Sequence, residues 1–541
     1  MHFPELFETL LKERGITPED RDLFLKPDYG RLHDPLLLPY MEKARDRVIR
    51  AMNDNEHIVV FSDYDADGIP GAVVLSDFFS RAGYKHVSFY IPHRHDEGFG
   101  LNPEAIEECA RRGAKLIVTV DCGTADWNEV ALANKNGIDV IITDHHEAPS
   151  QLPEAFAIIN PKIKDSNYPF DGLCGSAVVF KLVQAILAKH SFGIKKGMEK
   201  WSLDMVGIAT LSDCVPLVGE NRIFARFGLD VLRKSRRPGL AALFNKLNLS
   251  QKNLTEDDVA FTITPRINAA SRMGVPMDAF LLLSTADLNE AEKLVNHLEK
   301  VNQERKGVVA SMVKEAKSGL KKREKVEVVI VVGNPEWKPA LLGLLCASLA
   351  DSYERPVFAW GRDGSGTLKG SCRSYNGYDL FKLMEKVSDA FIEFGGHKGA
   401  GGFSVTLEQL AYLESRLSEA LIGLSSQETV PQTGLSISIS DIGENLWKTI
   451  SQFAPFGEGN EKPVFKIANA PIKNIRQFGK ANEHLELNLE SGVKAIAFFA
   501  SPSTYNLAPS TLSCTLHAHL EKSYFRSRPE LRLRIVDIMN P

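Results

Sequence analysis

The stretch His57-Ile58-Val59-Val60-Phe61-Ser62-Asp63-Tyr64-Asp65-Ala66-Asp67-Gly68 passes from a short apolar run into three aspartates at alternate positions. The apolar part reads as a buried strand and the acidic part as its carboxyl end. Four further runs rich in Val and Ile follow, at 87–91, 115–120, 139–143 and 157–160, separated by helix-like stretches such as 71–82, 102–112 and 128–136. Strand and helix alternating in this way predict a parallel α/β sheet covered by helices on both faces.

Beyond that sheet, residues 176–189 open a more helical part that runs to about residue 279. From 288 to 320 apolar residues recur at helical spacing (Ala291, Leu294, Val295, Leu298 and Val301 among them), which predicts one long amphipathic helix with Gly307 as its weak point. The charge run Lys321-Lys322-Arg323-Glu324-Lys325 ends it and reads as solvated surface, as does Arg233-Lys234-Ser235-Arg236-Arg237. A new buried strand at 326–332 begins a second α/β unit that ends near Ser426 in a linker. Then the period becomes two, at 435–439, 485–489 and 531–535, which predicts a small β-barrel or sandwich. The boundaries expected are a helical lead-in at 1–45, a first α/β domain at 46–285, a connecting helix at 286–325, a second domain at 326–426 and the barrel at 427–541.

Composition supports several units and excludes other classes. The chain has 541 residues, 44% hydrophobic and 25% charged, with a net charge of −5. That is ordinary globular composition, neither disordered nor collagen-like. No run of eighteen apolar residues occurs, so no membrane span is expected. The first residues lack a basic segment leading into an apolar one, so no signal peptide is expected. Seven cysteines without a C-x-x-C pair argue against a disulfide scaffold or zinc site and fit a reducing cytoplasm. Any nucleic acid must be held by local basic surface, because the overall field is not positive.

The chemistry gathers at the strand ends. Taken alone, Asp63, Asp65 and Asp67 fit a solvated turn as well as a cation site. The next strands decide between these readings: 118–120 runs into Asp121-Cys122-Gly123-Thr124, and 141–143 runs into Asp144-His145-His146-Glu147. Ligands of open α/β sheets bind at the carboxyl ends of the strands, so these groups should converge, with Asp213 as a fourth contributor. Carboxylates with imidazole and no thiolate suit Mn²⁺ or Mg²⁺. Two such ions about 3.5–4 Å apart, sharing a carboxylate and a water, perform in-line phosphoester hydrolysis. Cationic groups should face the substrate; the candidates are Arg94, then Arg266 and Arg272 in Thr264-Pro265-Arg266-Ile267-Asn268-Ala269-Ala270-Ser271-Arg272. In the second unit Gly370-Ser371-Cys372-Arg373-Ser374 and Phe394–Gly402, with His397, have the composition of anion-binding turns.

The ordered set Asp63-Tyr64-Asp65-Ala66-Asp67-Gly68, Glu97-Gly98-Phe99-Gly100, Asp121-Cys122-Gly123-Thr124 and Asp144-His145-His146 resembles the DHH phosphoesterase superfamily. Residues 209–222, 265–274, 394–402 and 453–460 narrow the resemblance to the RecJ-type single-stranded-DNA exonucleases, over nearly the whole chain. The resemblance implies a DHH catalytic domain, a long helix, a DHH-associated domain and an OB-fold barrel. It also implies 5′-to-3′ hydrolysis of single-stranded DNA with release of 5′-mononucleotides, in repair and recombination, aided by two Mn²⁺ or Mg²⁺ ions. By position, Asp65, Asp67, Asp121, His145 and Asp213 correspond to metal ligands, Asp63 is a further candidate, and His146 is assigned to the scissile phosphate. Arg94, Arg266, Asn268, Arg272, Ser371, Arg373 and His397 are assigned to the substrate, with a helicase and a single-strand-binding protein as candidate partners of a monomer.

Two positions depart from the family pattern. Phe61 stands where many members carry a metal-binding His, and Trp337-Lys338-Pro339-Ala340 replaces Trp-His-Pro-Gly. In the barrel, Tyr524, Phe525, Arg526, Arg528, Arg532 and Arg534 interleave rings and cations, as a single-strand site would, or form the solvated face of a strand. The competing readings are a DHH phosphodiesterase of short RNA or cyclic dinucleotides, and a non-catalytic DNA-binding relative.

Overall fold

The computed structural model describes residues 3–364, 366–422, 424, 434–479, 482–508, 511–524 and 529–539. The opening stretch forms β1 (His57–Ser62) and is joined in a parallel sheet by β2 (Val87–Tyr90), β3 (Ala114–Val120), β4 (Asp139–Thr143) and β5 (Ala157–Ile159), in the order β2-β1-β3-β4-β5. Successive side chains leave opposite faces of a strand. Ile58 and Val60 therefore join Leu116, Val118 and Ile141 in one apolar layer, while Val59 and Phe61 join Ile117, Val140 and Ile142 in the other. Burial on both faces is what continuous Val/Ile runs require. Register does the rest: Ser62 pairs with Val120 and Val118 with Ile141, so the residues after β1, β3 and β4 emerge along one edge.

The long helix is continuous from Leu288 to Lys321, through Gly307, and Asp287 caps its start by accepting from the backbone N–H groups of Asn289 and Glu290. It leads into a second sheet of β6 (Ile330–Gly333), β7 (Val357–Arg362), β8 (Leu368–Arg373), β9 (Glu393–His397) and β10 (Ala400–Val405), ordered β6-β7-β8-β10-β9. Only β6 and β7 run parallel there.

The last unit comprises β11 (Leu435–Ser436), β12 (Phe465–Phe478), β13 (His484–Leu489), β14 (Lys494–Ala497), β15 (Ser513–Ser523) and β16 (Glu530–Met539). β12 pairs with both β13 and β15, which closes the barrel. The alternating run expected at 435–439 is a strand only at Leu435–Ser436. Ser438 and Asp441 instead satisfy each other's backbone N–H groups around a short 3-10 turn, a local bonding pattern that competes with a sheet ladder. The linker at 425–433 and Phe525, Arg526 and Arg528 lie outside the described residues.

The lead-in does not form a unit of its own. Leu10, Leu11 and Phe24 are buried in the barrel core with Phe453 and Phe465. Arg222 fastens this arrangement to the first domain: Nε donates to Phe24 O at 2.8 Å, and the two terminal nitrogens donate to the carbonyls of Pro455 and Ala454. Its guanidinium lies 3.8 Å over the Phe24 ring. Among the described residues no helix is long and apolar enough to cross a membrane.

Candidate metal centre

The turn after β1 is built by its own aspartates. Asp65 Oδ1 accepts from the N–H groups of Asp67 and Gly68, at 2.7 and 3.2 Å, which folds the chain back into the helix Gly68–Arg81. Gly68 is required there, because a Cβ would sit 2.4 Å from the Asp63 carbonyl oxygen. Asp67 is clamped at the start of a second helix, Gly175–Lys189, accepting from Gly175 N–H at 2.6 Å and Ser176 N–H at 2.8 Å. Asp121, one residue beyond β3, adopts a left-handed conformation (φ 61°) and donates its N–H to Thr143 O. A Cβ on Gly175 would stand 2.7 Å from Asp121 Oδ1, so that helix start must approach as bare backbone. Asp213 arrives from elsewhere, as the C-cap of the helix Leu203–Ser212.

These pieces converge on His145. Its Nε2 lies 3.1 Å from Asp121 Oδ1 and 3.6 Å from both Asp67 Oδ2 and Asp213 Oδ2. Two sets, Asp67-His145-Asp213 and Asp63-Asp65-Asp121, each place their potential ligand atoms within 4.8 Å of one another, and a third joins Asp121, His145 and His146. Asp121 thus stands between the sets. Burial, reinforced by neighbouring carboxylates, pushes the Asp63 and Asp121 carboxyls well above their usual range, raises Asp67, and lifts Asp213 to about 9. Buried Asp63 Oδ1 and Asp121 Oδ1 have no hydrogen-bond partner among the described residues. Crowded acids with orphaned oxygens are costly unless cations neutralise them, and an oxygen-rich donor set with one imidazole fits Mn²⁺ or Mg²⁺.

Phe61 takes no part in this. Its ring is buried on the opposite layer, stacked on Tyr90 at 5.2 Å and 11°. Asp63, two residues on, is the neighbouring donor with an unsatisfied oxygen.

His146 is governed by Asp144, a member of the acidic strand-end motif that was not among the expected site residues. Asp144 is buried and accepts from the N–H groups of Thr124, His145 and His146 and from His146 Nδ1, the last at 2.8 Å. Against the desolvation of burial, these bonds hold its carboxyl below the ordinary range and raise His146 to about 9. Asn160 completes the brace, donating from Nδ2 to His146 O and Thr124 Oγ1. Its only sequence signal is its place at the end of β5. The exposed Phe99 ring meets His146 edge-on at 5.5 Å and Tyr64 at 6.4 Å.

Of the substrate candidates, three arginines draw together. Arg94 lies 4.8 Å over Tyr64, next to the aspartate turn. Arg272 donates to Ala340 O in the second domain at 2.6 Å, and burial, then the charges of Arg94, Arg305 and Arg373, lower it to about 10. Arg373 donates to Ser371 Oγ and Cys372 O. Arg266 is taken up by Glu299 of the long helix at 2.9 Å and by Thr262 O. Asn268 Oδ1 accepts from Ala66 N–H at 2.9 Å, so it steadies the acidic turn. His397 sits on the exposed β9–β10 hairpin, its Nδ1 accepting from Gly399 N–H. Lys338 immediately precedes the helix Pro339–Tyr353. In the barrel, Arg532 and Arg534 pair with Glu521.

This chain is 33% identical to the single-stranded-DNA-specific exonuclease RecJ of Bacillus subtilis (strain 168), over 99% of its own length and 68% of that protein. The chain belongs to the RecJ family. The Haemophilus influenzae RecJ is 30% identical, covering 94% of this chain and 92% of its own. The crystal structure of RecJ from Thermus thermophilus in complex with Mn²⁺ superposes with a TM-score of 0.81 at 26% identity, covering 99% of this chain and 76% of that one. Within this RecJ-family chain, residues 57–210 match the DHH family N-terminal domain, 324–422 the DHHA1 domain and 434–537 the RecJ OB domain.

Proposed function

We propose that this RecJ-family chain is a metal-dependent exonuclease of DNA repair and recombination that hydrolyses single-stranded DNA from the 5′ end and releases 5′-mononucleotides. The observation that carries this reading is the pair of acidic ligand sets meeting at Asp121 beside a cluster of three arginines. Asp67, His145 and Asp213 would hold one Mn²⁺ or Mg²⁺ and Asp63 and Asp65 the other, with Asp121 serving both. Such ions, when bound, supply Lewis-acid charge and a water of lowered pKa. Asp144 orients the His146 ring by accepting from its Nδ1, which favours the protonated form and makes the ring a donor suited to a phosphate oxygen. Arg94, Arg272, Arg373 and Ser371 supply the donors for the terminal and neighbouring phosphates, and Arg266 and Asn268 hold these elements in place.

The division into 46–285 for chemistry, 286–325 as connector, 326–426 for the 5′ end and 427–541 for the strand belongs to the same reading. So does a monomer in the reducing cytoplasm, which the seven unpaired cysteines fit. A helicase to open duplex and a single-strand-binding protein to present the strand are the partners it calls for.

The test is single-stranded DNA labelled at either end, incubated with Mn²⁺, Mg²⁺ or EDTA. Metal-dependent release of mononucleotides from the 5′ end alone is expected. Cleavage confined to short RNA or cyclic dinucleotides, or none with any metal, would overturn it.

A further inference from the structure

Asp67 and Asp213 belong to one ligand set, each 3.6 Å from His145 Nε2, yet separate segments of the chain hold them. The first segment, 172–175, runs into the helix whose opening N–H groups clamp Asp67. Ser176 Oγ adds a bond from that helix to Asp67 O, at 2.5 Å. The second, 213–216, leaves the end of its own helix with Asp213 and turns at Cys214, which is left-handed at φ 58°. A non-glycine residue keeps that conformation only where its surroundings impose it.

One side chain joins the two segments. Asn221, fully buried in the first turn of the helix Gly219–Leu232, donates from Nδ2 to Gly172 O at 2.5 Å and to Pro216 O at 3.0 Å. Its Oδ1 is buried with no hydrogen-bond partner among the described residues. An orphaned buried acceptor is costly, so the side chain serves through its two donors. The reversed amide would set Oδ1 against two carbonyl oxygens.

The helix that bears Asn221 is itself anchored. Glu220 accepts from Lys181 Nζ at 2.6 Å, from His33 N–H at 2.8 Å and from Tyr168 OH at 2.5 Å. Lys181 lies on the helix Gly175–Lys189, so a buried ion pair locks the helix that clamps Asp67 to the one that bears Asn221. Arg222, the next residue, bonds outward instead, to carbonyls of Phe24, Pro455 and Ala454. Two neighbouring donors thus serve different ends.

We propose that Asn221 is a positioning residue of the metal centre, whose paired N–H bonds set the approach of Asp213 to Asp67. The proposal rests on the metal-dependent reading above and deepens it, since Asn221 acts through the ligands alone. Residues that orient metal ligands typically govern affinity or activity by about 10–100-fold. Three variants of the full chain test it. Asn221→Leu has similar volume and no donor, Asn221→Ala is smaller and admits water to the two carbonyls, and Arg222→Leu is the control for a general loss of stability. The electron paramagnetic resonance signal of free Mn²⁺ would follow metal binding without DNA, and melting in EDTA would follow folding. Hydrolysis of labelled single-stranded DNA would then be measured across Mn²⁺ concentrations.

Asn221→Leu should bind Mn²⁺ about tenfold more weakly and need about tenfold more of it for half-maximal hydrolysis. KM for DNA at saturating Mn²⁺ should stay native. Asn221→Ala should shift less in the same direction, and it decides the matter if Asn221→Leu does not melt cooperatively. Arg222→Leu should melt lower yet bind Mn²⁺ as the native chain does. Native Mn²⁺ affinity in both Asn221 variants would overturn the proposal and leave the residue purely structural. A loss of equal size in Arg222→Leu would overturn it by tracing the effect to the fold as a whole. A native chain that binds no Mn²⁺ would overturn it together with the reading on which it rests.

Discussion

The metal centre and a cleft of about 1100 Å³, lined by Lys306, Lys314, Lys317 and Lys321 of the long helix and by Phe499 of the barrel, both concentrate charge, by opposite means. At the metal centre the carboxylates are pinned: buried Asp67 by the start of a helix, half-buried Asp65 by its own turn, and buried Asp121 on a left-handed residue at a strand end. In the cleft the cations stand on flexible stems along one helix, Lys317 resting on the neutral Ser352 hydroxyl, and salt screens them. Chemistry needs groups held before the substrate arrives, since misplacement of even an ångström is costly. Holding a strand of any sequence needs a surface that yields. The difference predicts large, all-or-none effects of losing a carboxylate at the first region and graded, length- and salt-dependent effects at the second.

The largest effect expected is from Asp121→Ala, which removes the carboxylate that stands between the two ligand sets. Hydrolysis should fall by about 10³-fold or more, with single-strand binding retained. A gel assay of product release beside an anisotropy titration separates the two, and wild-type cleavage would refute the shared role. Next comes Asp144→Asn, which keeps the shape but weakens the brace on His146. A loss of about 10²-fold in kcat, with KM little changed, is expected from steady-state kinetics. A change in KM alone would mean that His146 only binds substrate.

Removing the barrel by truncation near Ser426 is a poor way to sharpen the comparison, because Leu10, Leu11 and Phe24 would lose their core. Arg222→Leu probes the same junction directly. It strips donors from three carbonyls and should cost about 3 kcal/mol in chemical denaturation, while dinucleotide hydrolysis per folded molecule is unchanged.

The smallest effect expected is at Asp126, whose carboxyl burial raises to about 6 while it accepts from Leu101 N–H. A carboxyl with a raised folded pKa favours folding most fully below its unfolded value near 4, and this contribution is lost as pH rises to about 6. Asp126→Asn keeps the acceptor and removes the charge. Its melting temperature should match the native chain at pH 4 and exceed it slightly at pH 8. An identical difference at both pH values would rule out ionisation as the cause.

Much of the site was legible because local chemistry marks it. Val/Ile runs demand burial on both faces, parallel strands deliver their ends to one edge, and acids at those ends mark the ligand positions. Asp144 and Asn160 were harder to see, since a positioning residue is defined by what it bonds, and those partners lie on other loops. The substrate arginines show the same limit. Arg266 and Arg272 share one short segment, yet Glu299 engages the first and the second reaches across to Ala340.

From residue order alone came the parallel sheet, the long helix, the run of alternating strands in the last unit and the acidic strand ends, because period and turn chemistry are local properties of a chain. Only the tertiary structure decided that Asp144 and Asn160 brace His146, that the first helix completes the last barrel, and that a row of lysines read as solvated surface at one end faces Phe499. Each of these depends on contacts made when separate segments pack, and no local pattern records which partner a side chain will meet.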